Sequence, residues 1–197
     1  MADSLYLSLW FPTFDLSEIL PRTVSVLQQI PFSPARPGVT YAAVHPVSWA
    51  EPTILERRFV PGLPPEEAVG AVADFLNNDY AYVFEAYWDL WTPPSGAEKW
   101  MQYPSLIRAI AHAPEFEENA ASAAGHIQID FGLDAPFLYE ELSLSLEAEN
   151  RIRDNVQRLV EFTANVEKNS GATGRLLWSE SEENLAQKLI TRLQKVN

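Results

Sequence analysis

Apolar and polar positions alternate at the start of the chain. Leu5, Leu7, Leu9 and Phe11 interleave with Tyr6, Ser8 and Trp10, the period of a strand with two unlike faces. Pro12 ends it. Leu16, Ile19, Leu20, Val24 and Leu27 then recur at helical spacing, with Thr13 or Asp15 placed to cap. Pro21 falls inside that pattern and removes a backbone hydrogen bond, so the helix either begins near Pro21 or kinks there. Val39–Val47 and Thr53–Val60 read as two strands joined by a turn. Pro64-Pro65-Glu66-Glu67 starts a helix, with prolines in the first turn and carboxylates at the positive end of the dipole. Its buried stripe is Val69, Val72, Phe75 and Leu76, and Asn77-Asn78-Asp79 stops it. Tyr80–Trp91 is a long aromatic strand. One face carries Tyr82, Phe84, Trp88 and Leu90, and the other Val83, Glu85, Tyr87, Asp89 and Trp91.

The order βαββαβ resembles a ferredoxin-like half-domain in topology, with no family motif behind it. Thr92–Gln102, containing Pro93-Pro94-Ser95-Gly96, is the expected internal boundary. The second half reads ββαβα. Leu106–His112 fits a strand or a short helix, and Glu115–Gly125 a loop or a weak helix. His126–Leu133 alternates as a clear strand. Ser143 or Ser145 opens a long helix to about Lys168, stopped by Asn169-Ser170-Gly171. Arg175–Ser179 is a short strand, and Ser181 caps a last helix bearing Leu185, Leu189, Ile190, Leu193 and Val196. The expectation is one α+β domain over 1–197, with internal halves at 1–92 and 103–197. Six to eight mixed or antiparallel strands would be covered on one face by about four helices.

Composition narrows what such a fold does. The 47% hydrophobic and 21% charged residues are those of a chain with a packed core. The net charge of −13 repels phosphate backbones and anionic membranes, so neither nucleic acid nor a membrane is an expected partner. A basic protein is. With no Cys, thiolate nucleophiles, disulfides and cysteine-ligated metal centres are excluded. The chain shows no signal-peptide pattern and no apolar run long enough to span a bilayer, so a cytoplasmic protein is expected.

Helices on one sheet face leave the other to meet solvent, a subunit or a ligand. The alternation places Trp10, Glu85, Tyr87, Asp89, Trp91, His126, Gln128 and Asp130 on that open face, together with Tyr6 and Ser8. Aromatic rings among carboxylates suit a small polar or cationic ligand. They equally suit an interface, including a homodimer burying Trp10, Trp88 or Trp91. His126 and Asp130 would ligate a divalent ion if His112 or Glu85 joined them, which would suit metal-assisted hydrolysis. Two ligands on one strand are a weak signal, and a hydrogen-bonded or exposed histidine is the usual outcome. Glu85 and Asp89, about 13 Å apart along a strand, are too distant for a paired acid and base. The serines lack a nucleophile elbow, and Gly171-Ala-Thr-Gly174 lacks the lysine and length of a phosphate loop. Glu56-Arg57-Arg58 fits an edge strand guarded by charge, and anion binding by Arg57 or Arg58 is the alternative, with no other feature behind it. No cofactor is called for. The leading expectation is a non-catalytic interaction or ligand-binding protein, of which an inhibitor or immunity-type protein is one version. The alternative is a small-molecule enzyme with its pocket on the open face.

Overall fold

The computed structural model describes residues 3–92, 99–118, 120–138, 145–180 and 184–194. Seven strands are β1 (Ser4–Trp10), β2 (Val39–Pro46), β3 (Leu55–Leu63), β4 (Tyr80–Thr92), β5 (Met101–His112), β6 (Ile127–Leu133) and β7 (Gly174–Ser179). They form one sheet in the order β3-β2-β4-β5-β6-β1-β7, with every neighbouring pair antiparallel. The helices are α1 (Leu16–Leu27), α2 (Pro65–Gly70), α3 (Ala120–Ala124), α4 (Ala135–Leu138), α5 (Leu146–Ser170) and α6 (Leu185–Gln194).

Helix α1 starts at Leu16 and runs through Pro21, which lies on its exposed side. Asp15 caps it by accepting the Ser17 N–H at 2.8 Å. Helix α2 is shorter than the apolar stripe suggests. It stops at Gly70, a poor helix residue, and a single 3-10 turn follows at Ala73–Phe75. The buried Tyr82 hydroxyl secures this turn, accepting the Asn77 N–H at 2.9 Å and donating to the Phe75 carbonyl at 3.1 Å. Helix α5 begins at Ser145, whose side chain accepts the Ala148 N–H. It ends at Gly171, which adopts φ +78°. That left-handed backbone is what favours glycine there, since the nearest atom a Cβ would meet is the movable end of the Arg22 side chain. The expected cap of α6, Ser181, lies outside the described residues.

The core lies on one face of the sheet. Leu5, Leu7 and Leu9, Phe84 and Trp88, and Ile127, Ile129 and Phe131 pack beneath Ile19 and Val26 of α1 and Ile152, Val156, Leu159 and Phe162 of α5. Trp88 is fully buried, with ring centroids of Phe131, Phe137 and Phe162 at 5.5–6.1 Å.

One expectation changes. A ferredoxin-like half would keep its four strands side by side, but β1 lies between β6 and β7, on the far side of the sheet from β2 and β3. The sheet is continuous across the segment after Thr92. β4 and β5 pair continuously from Ala81–His112 to Thr92–Met101, with 93–98 outside the described residues.

Candidate functional site

On the face away from the core, one residue from each strand forms a continuous row across the sheet. In order it reads Arg58, Tyr41, Glu85, Arg108, Asp130, Tyr6 and Trp178, each directly opposite the next. Period-two alternation puts them there, because their strand neighbours Ala42, Phe84, Ala109, Ile129 and Leu5 belong to the core. Arg108 holds the centre. Its Nη2 and Nε donate to Glu85 Oε1 at 2.8 and 3.1 Å, and its Nη1 reaches Asp130 Oδ2 at 3.4 Å. Asp130 Oδ1 accepts the Gly132 N–H at 2.8 Å. At the β7 end Tyr6 packs on Trp178 with centroids 4.7 Å apart, and the Trp178 indole donates to Ser8 Oγ at 3.0 Å.

At the opposite end the row runs into a cavity of about 330 Å3 lined by Arg36, Tyr41, Arg58, Val60, Glu85 and Tyr87 among others. The Arg36 guanidinium lies 4.5 Å from the Tyr87 ring centre and that of Arg58 lies 5.8 Å from the Tyr41 ring centre. Among the described residues neither arginine forms an ion pair. Burial, followed by the charge of Glu56, a hydrogen bond to it and the charge of Glu85, pushes the Tyr41 hydroxyl pKa up. The cavity combines two forked cations, two tyrosine faces and a carboxylate already engaged by Arg108.

The chain matches no family model, no curated protein and no solved structure.

The eight residues singled out by sequence divide into three groups. Glu85, Tyr87, Gln128 and Asp130 lie on the open face, and Trp10 stands at its β1 end opposite Gly174. Asp89 and Trp91 meet α5 instead. β2 ends its pairing with β4 at Ala86, and beyond it α5 reaches the free edge of β4. The Arg151 guanidinium sits 3.7 Å from the Trp91 ring centre, and Arg158 Nη1 donates to the Asp89 carbonyl at 2.8 Å. His126 is drawn to the end of β1. Its Nδ1 accepts the Phe11 N–H at 3.0 Å and its ring lies parallel to Phe14 at 4.8 Å. Strand alternation fails for it because β6 begins one residue later, at Ile127.

His112 is buried under Trp49 and Phe116, and its Nδ1–H donates to the Gly125 carbonyl at 2.9 Å. His45 packs edge-on against Trp49. Burial holds the pKa of all three histidines below 6.5. Among the described residues no three metal-ligating side chains come together. Trp88, named above for an interface, is in the core and unavailable to one.

Arg36, Tyr41, Arg108 and Trp178 are site residues the sequence reading passed over. Tyr41 and Arg108 were within reach: each alternates with core alanines, Ala42 and Ala109. Arg36 carries no such signal, since it lies in a proline-rich connection.

Proposed function

We propose that this is a non-catalytic binding protein whose open sheet face is its recognition surface. The observation that carries this reading is the cavity at the β3 end of the cross-sheet row, where Arg36 and Arg58 stand over tyrosine rings without carboxylate partners. Forked guanidinium groups match carboxylates and phosphates in bidentate geometry, and stacking on a ring orients them without neutralising them. The ligand is accordingly an organic oxyanion with a flat or apolar body seated on Tyr41 and Tyr87. Titration with aromatic carboxylates and aryl phosphates should give saturable binding that weakens about tenfold in Arg58→Ala and in Arg36→Ala, the loss of one charge-assisted contact. Equal affinity in all three proteins would remove this reading.

An acid–base enzyme fits the geometry less well. The Nδ1 of His126 is engaged by the Phe11 amide, and Asp130 is held by Arg108 and the Gly132 N–H, which leaves neither poised toward a common reacting atom.

The net charge favours a second version of the binding reading, docking of a basic protein as an inhibitor or immunity-type protein would do. Its association rate would fall steeply between low and high salt. A rate indifferent to ionic strength would eliminate it.

A further inference from the structure

The cavity at the β3 end of the open face is lined by charges of both signs, Arg36 and Arg58 against Glu85. Arg108 engages Glu85 through one oxygen only, since its Nε and its Nη2 both donate to Oε1. Among the described residues Oε2 accepts no hydrogen bond, and it is not a buried atom. The Glu85 side chain keeps 21% of its surface exposed and lines the cavity, so this oxygen is open to a ligand there. Arg108 itself is not a lining residue. Its charge is shared with Asp130, which its Nη1 reaches at 3.4 Å. One guanidinium between two carboxylates leaves a surplus of negative charge. Asp130 has the Gly132 N–H on its other oxygen, so Glu85 is the carboxylate with accepting capacity to spare.

The placement of these groups suits a ligand that carries both signs. Glu85 and Tyr87 project from the same face of β4 two residues apart, about 7 Å, and the Arg36 guanidinium lies over the Tyr87 ring. A receptor for an anion and an acceptor for a cation therefore stand within reach of one small molecule. The chain around Arg36 holds it there. Ser33 is fully buried, donates its N–H to the Tyr87 carbonyl at 2.7 Å, and accepts the Arg36 N–H on its own carbonyl at 3.0 Å. Apolar lining comes from Val60 and Pro61, and Val60 is 94% exposed. A volume of about 330 Å3 accommodates a molecule of amino-acid size. A plain anion would satisfy the arginines but would cover Glu85 Oε2 without supplying a donor, which is unfavourable for a charged oxygen.

We propose that this cavity selects a zwitterion, an α-amino acid with an aromatic or apolar side chain. The proposal rests on the reading of the cavity as an oxyanion site and adds the second charge. Arg36 and Arg58 hold the carboxylate, and the ammonium donates to Glu85 Oε2. The ligand side chain lies along Tyr41, Val60 and Pro61. Glu85 is the residue that sets specificity. A site built to pair a particular N–H discriminates strongly against the analogue that lacks it, because the protein's own polar group is then left unmet. A ligand without the carboxylate leaves the two guanidinium groups unpaired for the same reason.

The test is calorimetric titration of the full chain with phenylalanine, tyrosine and tryptophan, each beside its des-amino counterpart, the 3-arylpropionate. At least one amino acid should bind about tenfold more tightly than its counterpart, the effect of one charge-assisted hydrogen bond. Phenethylamine, which lacks the carboxylate, should bind more weakly than phenylalanine. Glu85→Gln, which keeps the shape and an acceptor for Arg108, should erase the preference, so that both members of the pair bind alike. Amide spectra of the unmutated protein give a readout that needs no variant to fold. The shifted backbone amides should include Thr40 and Gly62, which line the cavity. Equal affinity within every pair would overturn the proposal and leave the oxyanion site standing. A preference that survives in Glu85→Gln, or shifts confined to the Tyr6 and Trp178 end of the face, would also overturn it. If neither the amino acids nor the arylpropionates bind, the oxyanion reading falls and this proposal falls with it.

Discussion

Among single residues, the histidines show how far neighbours can change a side chain's role. His112 gives its Nδ1–H to the Gly125 carbonyl, His126 accepts the Phe11 N–H, and His45 leans on Trp49. Each is favoured in its neutral form, because burial lowers its pKa from the ordinary 6.5. The unfolded chain therefore takes up protons before the folded one does as pH falls. Stability contributed by these rings is present above pH 6.5 and is lost as pH falls through the lowered folded values. Urea unfolding at pH 7.5 and at successive steps down to pH 5 should show this decline. His112→Gln, which retains an N–H donor, should make the decline shallower. An unchanged slope in that variant would mean His112 does not titrate differently on folding. None of this was readable from sequence. A lone histidine next to a strand gives no sign of which backbone group will claim its ring, and His126 was expected on the open face for that reason.

At the scale of elements, alternation served well wherever a strand kept a regular partner. Glu85 and Tyr87 were assigned to the right face because β4 is paired on both sides there, by β2 and by β5. Asp89 and Trp91 keep the alternation, each beside the core residues Trp88 and Leu90, but β2 has ended there and side chains from α5 meet the strand edge in its place. The key contact is Asn155, fully buried in α5. Its Oδ1 accepts the Trp91 N–H at 2.8 Å, while its Nδ2 donates to the Trp91 carbonyl at 2.8 Å and the Pro136 carbonyl at 2.9 Å. One side chain thus supplies what a neighbouring strand would have supplied. Asn155→Ala should cost about 2–4 kcal/mol, since it leaves several backbone groups without partners. It should show as a lower urea midpoint with an unchanged m-value. A cost near zero would mean that water reaches the β4 edge. In sequence Asn155 sits on the apolar stripe of a helix and reads only as an interruption.

At the scale of the molecule, element order was largely legible and strand order was not. Periodicity, prolines and caps located β1 to β4, α1, α5 and β7 within a few residues, because those signals are local. Neighbourhood in a sheet is decided by pairings distant in sequence, so the ferredoxin-like grouping of the first four strands missed the exchange of β1 into the company of β6 and β7. The open face is assembled only through that exchange, with Tyr6 and Asp130 meeting across it.

The same exchange has a consequence for how the chain reaches its native state. β1 has strands on both sides, and its partner in β7 is made 170 positions later, the separation between Ser8 and Trp178. During synthesis the two hydrogen-bonding edges of β1 must wait for β6 and β7, both made long after it. Closing such distant pairings is slow, because loop entropy is lost before the contact compensates for it. Refolding from urea should therefore proceed on the scale of about milliseconds to seconds or longer, through a collapsed species in which β2 to β5 are paired and β1 is not. Pulse-labelled hydrogen exchange should find the Leu7 amide protected last. Protection of Leu7 together with Phe84 would instead place β1 in the first structure to form.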